Sequence, residues 1–236
     1  MYKINEMLLR LFHVSAASLF WYTAWYDQNF INVPFPNEKY AQYALKGRVT
    51  FLTFWCLVLQ TLYFTVSVLN DYIGTNVDNP KQNFILRSIK DKLFILAFPV
   101  ALYVTSFFWG IYAIDKELIF PDWIAKLIPS WVNHTMHSLV LLFIVLELII
   151  NYRRYPSRSV GYSIVVCFNF IYTFWFHCVY YQTGVWVYPI YGVLNWPARI
   201  GLQLASTTLA LGFYVLGEKL NEFVWTKVDK QKVKSK

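Results

Sequence analysis

Residue types that can carry out acyl transfer lie inside apolar stretches of the chain. The segment WVNHTMHSLVLLFIVLELII contains His134 and His137 near its beginning, and another apolar stretch contains Thr53. Ionisable groups inside a membrane are costly, which favours a functional role for the histidines. A threonine hydroxyl becomes an effective nucleophile when a base removes its proton, and imidazole titrates in a suitable range. The sequence therefore offers a nucleophile and a general base.

The residues alone do not single out one threonine. Thr50, Thr61 and Thr65 lie in the same region of the chain as Thr53 and are equally plausible nucleophiles by residue type. A threonine in a membrane helix commonly bonds to its own backbone, so most of these hydroxyls are expected to be structural.

The amino-acid composition of the chain indicates a membrane protein. The chain has 236 residues, of which 57% are hydrophobic and only 14% are charged. Globular domains carry roughly 25% charged residues, so we expect a single membrane-embedded domain. The net charge of +8 comes from basic residues in short connecting segments and in the tail, and we expect no nucleic-acid partner. The three cysteines lie in apolar runs, which argues against a disulfide framework or a thiolate metal site.

Six apolar runs approach the length of about 20 residues that a helix needs to cross the hydrocarbon layer. They cover residues 7–26, 49–69, 93–114, 131–150, 160–181 and 200–217. The first is the weakest because Arg10 and His13 interrupt it. We predict an all-α bundle of six transmembrane helices over residues 1–226, followed by a basic cytosolic tail over residues 227–236.

The distribution of basic residues predicts the orientation of the bundle. With six spans, both termini lie on the same side as the connections after the second and fourth spans. Of the 21 lysines and arginines, 15 fall on that side and 6 on the other. Because basic residues accumulate on the cytosolic side, we expect both termini in the cytosol.

This orientation brings several polar residues to one depth. The second, fourth and sixth spans then run inward from the non-cytosolic face, and Thr53, His134, His137 and Ser206 all lie near their beginnings. His177, near the outward end of the fifth span, can join the same layer. These residues are expected to line a polar pocket in the outer leaflet.

Several sequence blocks carry a resemblance to a known family. They are FLTF (51–54), LAFPV (96–100), FWGIYAIDKELIFP (108–121), IPSWVNHTMH (128–137), YPSRS (155–159), GVWVYP (184–189) and LGEKLN (216–221). In this order they resemble the androgen-induced-gene and ADTRP family of multi-pass membrane proteins. The resemblance covers the chain from the second span onward, and the first span is more loosely similar.

The resemblance implies an activity. Members of that family are membrane threonine hydrolases that split fatty acid esters of hydroxy fatty acids. Their nucleophile is the threonine of the FLTF-like block, here Thr53, and its partner is the second histidine of the NHxxH block, here His137. The expected partners are the lipid ester and membrane lipids, with no cofactor and no metal.

Further residues are assigned supporting roles on this expectation. Asn133, His134 or Ser206 could orient the imidazole that accepts the threonine proton. Lys46 and Arg48, at the mouth of the second span, could receive a substrate carboxylate.

Two functions from other classes remain open at this point. A lipid-binding membrane protein would use the same pocket without needing the hydroxyl. A haem-binding electron-transfer protein would use His134 or His137 together with His177 as axial ligands. The lysines Lys232 and Lys234 near the end of the chain resemble a dilysine retrieval signal, so we expect a multi-pass protein of the endoplasmic reticulum or the plasma membrane.

Overall fold

The computed structural model describes residues 5–34, 38–76 and 85–234, with the side chains of residues 38, 41 and 226–234 excepted. Within these ranges all regular structure is helical and there is no strand. The α-helices are α1 (Glu6–Phe30), α2 (Leu52–Ile73), α3 (Ile85–Ile114), α4 (Asp122–Ala125), α5 (Ser130–His134), α6 (Val140–Ile150), α7 (Arg158–Thr183), α8 (Pro189–Val193) and α9 (Trp196–Lys234).

A long helix covers most of each of the six predicted runs, although the second begins at Leu52 rather than at residue 49 because a 3-10 turn precedes it. Five stretches are long and apolar enough to cross a membrane, namely Leu52–Ile73, Ile85–Ile114, Ser130–Ile150, Arg158–Thr183 and Trp196–Trp225. The all-helical, multi-pass architecture is thereby confirmed. Helix α1 has 25 residues but does not reach the same apolarity, so the number of spans and the sides of the termini stay predictions.

Helix α1 is less apolar because it brings polar side chains into the interior. His13 is fully buried, and its two ring nitrogens lie 2.6 Å from Asp71 and 2.8 Å from Glu147. At the other end of the helix, buried Asp27 pairs with Arg48, just before α2. Buried charges are tolerated when they are paired in this way. The His13–Asp71 and Asp27–Arg48 pairs hold α1 alongside α2 near both ends of α2.

The main core lies where α1, α2, α3 and α6 meet. It is built largely from aromatic and branched side chains that these helices turn inward, such as Phe20, Phe64, Phe98 and Ile144. Helix α9 packs against α3 and α7 on one side of this core. Cys56 is buried there, whereas Cys167 is exposed and Cys178 is partly buried, so a position in an apolar run did not place all three cysteines in the core.

The last helix extends into the segment predicted to be a tail. Its backbone is helical through Lys234, but the side chains from residue 226 onward lie outside the described part of the chain. The dilysine pattern falls among them. The division of the chain at residue 227 therefore stays a prediction.

Candidate active site

Thr53 lies in the first turn of α2. A short 3-10 turn over Arg48–Thr50 precedes the helix, and Phe51 occupies the N-cap in an extended conformation. Because the first amide groups of a helix have no intrahelical partner, the beginning of α2 presents N–H groups and a positive dipole end beside Thr53. The Thr53 side chain is half-buried at this position.

His137 lies in a π turn. The fourth long helix consists of α5, a π segment over Thr135–Leu139, and α6. This segment directs the buried imidazole towards α2, where its Nε2 atom lies 3.3 Å from the Thr53 Oγ1 atom. That separation is at the long end of the range for a hydrogen bond. Single π turns within α-helices are frequent at functional sites.

The backbone fixes the tautomer of His137. The imidazole Nδ1 lies 3.0 Å from the carbonyl oxygen of Asn133, one turn earlier. A carbonyl oxygen only accepts hydrogen bonds, so Nδ1 carries the proton and donates it. The Nε2 atom then presents its lone pair to the Thr53 hydroxyl. Phe108 stacks on the imidazole, with ring centroids 3.6 Å apart and planes inclined by 16°, and restricts its rotation.

The pair lies beside two cavities that share some of their lining residues. The larger has a volume of about 540 Å³, is lined mainly by apolar side chains, and reaches both Thr53 and His137. The smaller, of about 60 Å³, includes Thr53, Ser206 and several other hydroxyl and amide side chains. Thr53 lines both cavities, so its hydroxyl can meet a ligand that enters through the larger one.

One guanidinium group faces the larger cavity. The Arg48 Nε atom donates to both carboxylate oxygens of Asp27, at 2.8 and 3.0 Å. The Nη2 atom of Arg48 is buried without a hydrogen-bond partner among the described residues. A buried donor without a partner is costly, and an anionic ligand group in the cavity would relieve that cost.

Comparisons with known proteins identify the family of this chain. The sequence model described as "FAR-17a/AIG1-like protein" matches residues 9–222. The chain belongs to the FAR-17a/AIG1-like family. It is 40% identical to the human androgen-induced gene 1 protein over 76% of this chain and 78% of the relative. It is 33% identical to the mouse androgen-dependent TFPI-regulating protein over 89% of this chain and 93% of the relative.

The names of these FAR-17a/AIG1-like relatives refer to androgen and to TFPI and specify no reaction. No solved structure matches the chain. The family assignment therefore confirms the resemblance drawn from the sequence blocks. The chemistry has to be argued from the site itself.

In this FAR-17a/AIG1-like protein, some predicted site residues meet and others do not. Thr53 and His137 are in contact, and Asn133 orients the imidazole through its backbone carbonyl. Ser206 lines the smaller cavity and accepts a hydrogen bond from Tyr103 at 2.8 Å. Ser206 therefore shares a cavity with Thr53, and no hydrogen bond joins it to His137 among the described residues.

The remaining predicted residues have other partners. The His134 ring lies 3.3 Å from the Ser138 hydroxyl and stacks on Trp109. Lys46 is exposed and donates to Asn32, and His177 donates to the backbone carbonyl of Thr173. Neither Lys46 nor His177 is among the residues that line the two cavities.

Sequence reasoning missed residues that hold the site in place. Phe108 packs on His137, and Trp109 donates to Ser138 at 3.0 Å. Both belong to the FWGIYAIDKELIFP block, whose later residues also line the larger cavity. The block was visible in the sequence, but its proximity to the NHTMH segment depends on the packing of α3.

Proposed function

We propose that this protein is an intramembrane threonine hydrolase that cleaves fatty acid esters of hydroxy fatty acids. The observation that carries the proposal is the contact between the Thr53 Oγ1 atom and the His137 Nε2 atom. The tautomer imposed by Asn133 supports it, because it leaves Nε2 free to accept a proton. The substrate class comes from the family resemblance of the FLTF and NHTMH blocks.

The reaction proceeds by acyl transfer in two steps. His137 Nε2 takes the proton of the Thr53 hydroxyl while the oxygen attacks the ester carbonyl. The imidazolium then protonates the leaving alkoxide, which departs as the hydroxy fatty acid, and the acyl group stays on Thr53. His137 next removes a proton from water, whose oxygen attacks the acyl-threonine ester. The imidazolium then returns that proton to the Thr53 oxygen as the ester bond breaks, which releases the free fatty acid and restores both residues. Protons and bonds balance without any further reactant.

The cavity supports a substrate with long apolar chains and one anionic end. Its mainly apolar lining suits hydrocarbon, and the polar Thr53–His137 pair lies at one point along it. A fatty acid ester of a hydroxy fatty acid has one free carboxylate, and Arg48 is the cavity residue suited to bind it. The paired Asp27 keeps the guanidinium in place.

The decisive experiment compares three alanine variants in membranes. We expect Thr53→Ala to lose both ester hydrolysis and labelling by a fluorophosphonate probe. His137→Ala should lower the rate at least about 10²-fold because the general base is lost. Thr61→Ala is the matched control, since that hydroxyl bonds to the Leu57 carbonyl of its own helix, and it should behave as wild type. Activity retained by Thr53→Ala at equal protein level would refute the proposal.

The same variants separate the two other functions. A lipid-binding protein without catalysis would bind the ester equally well with Thr53 or alanine at that position and would never release product. A haem protein would show a Soret band when purified. Both ring nitrogens of His137 are already engaged, by Asn133 and Thr53, which disfavours iron ligation.

We also propose the six-span topology, with both termini in the cytosol. The contacts of α1 at both ends of α2 and the 15-to-6 distribution of basic residues support it. The site then lies in the non-cytosolic leaflet of the endoplasmic reticulum or the plasma membrane. The terminal lysines favour the endoplasmic reticulum.

A further inference from the structure

Two tyrosine hydroxyls meet the beginning of α2 beside the nucleophile. The amide N–H of Leu52 donates to the hydroxyls of both Tyr172 and Tyr188, at 2.9 Å in each case. The two hydroxyls lie 3.3 Å apart. Tyr188, like Thr53, lines both cavities.

The two phenols differ in where their protons can go. Tyr172 lies 3.1 Å from the carbonyl oxygen of Thr50 and donates to it. The Tyr188 hydroxyl accepts from Leu52, and its own proton can point either to the Tyr172 oxygen, at the long distance of 3.3 Å, or into the cavities that Tyr188 lines. Burial raises the pKa of Tyr188, so the phenol keeps this proton at neutral pH. Tyr188 therefore has a donor to offer to a ligand in the cavities.

A donor at this position matches a need of the proposed reaction. When Thr53 attacks an ester, negative charge develops on the carbonyl oxygen, next to the attacked carbon. Donors fixed in advance around that oxygen are usually a large part of catalysis by acyl-transfer enzymes. The positive end of α2 adds to the same field.

We propose that the Tyr188 hydroxyl is an oxyanion donor of the hydrolase, acting in the field of the positive end of α2. This inference rests on the proposed function. It assigns a role to the GVWVYP block, which the Thr53–His137 pair leaves unexplained.

The local backbone fixes the position of Tyr188. Gly184 ends α7 in the left-handed region, with φ of 74°, which turns the chain back towards α2. Tyr40 then donates to the Val185 carbonyl at 3.1 Å and ties the turn to the segment before α2. Tyr188 follows in an extended conformation, and Pro189 begins α8 directly after it. The backbone position of Tyr188 is therefore fixed by the Gly184 turn before it and by α8 after it.

The test compares Tyr188→Phe with Tyr172→Phe in purified full-length protein. Either change leaves the Leu52 N–H with one tyrosine acceptor, so the fold should survive both. We expect Tyr188→Phe to lower kcat roughly 10²- to 10³-fold, with KM changed less than about threefold. Phosphonylation of Thr53 by a fluorophosphonate should slow in parallel, because the probe also builds negative charge on oxygen. Tyr172→Phe should lose much less.

The controls distinguish a failure of the inference about Tyr188 from a failure of the proposed hydrolase function. Tyr43→Phe, whose hydroxyl bonds to Gln182 away from both cavities, should match wild type. Equal kcat losses in Tyr188→Phe and Tyr172→Phe, or a wild-type kcat in Tyr188→Phe, would overturn the inference about Tyr188. If Thr53→Ala in the same assay keeps its activity, the proposed function itself fails.

Discussion

At the scale of single residues, the site depends on backbone groups as much as on side chains. The Asn133 carbonyl selects the tautomer of His137, and the amide N–H of Leu52 holds two phenols beside Thr53. Neither role depends on the identity of the side chain that supplies the backbone group. A sequence pattern shows side chains and does not show which backbone groups bind them. For this reason the residue that orients the His137 imidazole could not be chosen from the sequence.

A residue-scale prediction concerns the recognition of the substrate carboxylate by Arg48. We expect Arg48→Gln to raise KM for the free-acid ester, since a charge-assisted hydrogen bond contributes about 1.5–3 kcal/mol, or roughly 10- to 150-fold. The methyl ester of the same lipid carries no anion and should be affected much less. The measurement is therefore the ratio of kcat/KM for the two substrates, which cancels any general loss of folded protein.

Lys46→Gln is the matched control for this prediction. Lys46 is also basic and lies two residues earlier, but it is exposed and pairs with Asn32 outside the cavity. Its ratio should equal that of wild type. A changed ratio for Lys46→Gln with an unchanged one for Arg48→Gln would reverse the assignment.

At the scale of elements, the sequence predicted the helices well and their local irregularities poorly. Most of each of the six apolar runs lies on a long helix. A helix needs about 20 apolar residues to cross the hydrocarbon layer, and a run of that length is visible in the sequence. A π turn differs from an α turn in its hydrogen bonds and not in the types of residue that it contains. The π turn at Thr135–Leu139 therefore has no comparable signal in the sequence. The same holds for the interior pairs of α1, which made that helix look weak in hydropathy while they bind it to α2 and α6.

An element-scale prediction concerns the packing of α7 against α9. Gly161 of α7 touches Tyr214 of α9 so closely that an added Cβ would lie 2.1 Å from the tyrosine oxygen. Tyr214 is itself only 1% exposed and has little room to move. We expect Gly161→Ala to lower the free energy of unfolding by about 1–3 kcal/mol through overpacking. Thermal denaturation in detergent would measure this as a lower Tm.

Gly212→Ala gives the opposite expectation within α9. An added Cβ there meets nothing within 4 Å, so the helix gains up to about 1 kcal/mol from the better propensity of alanine. Equal Tm values for the two variants would contradict close packing between α7 and α9.

At the scale of the whole molecule, the proposed topology depends on whether α1 crosses the membrane. His13 meets Asp71 near the end of α2, and Asp27 meets Arg48 just before α2 begins. The 14 positions from His13 to Asp27 span about 21 Å along a helix, which is most of the hydrocarbon thickness. We therefore expect a helix that is fixed to α2 over that distance and runs in the opposite direction to cross the same layer, whatever its mean hydropathy.

The last prediction follows from this crossing. With α1 as a span there are six, and an even number puts both termini on one side, which the excess of lysine and arginine identifies as the cytosol. We expect epitope tags at residue 1 and after residue 236 both to react with antibody when only the plasma membrane is permeabilised. A tag in the segment 115–121, between α3 and α4, should react only after all membranes are opened. Termini on opposite sides would mean that α1 lies outside the hydrocarbon layer, and the buried His13–Asp71 pair would then need another explanation.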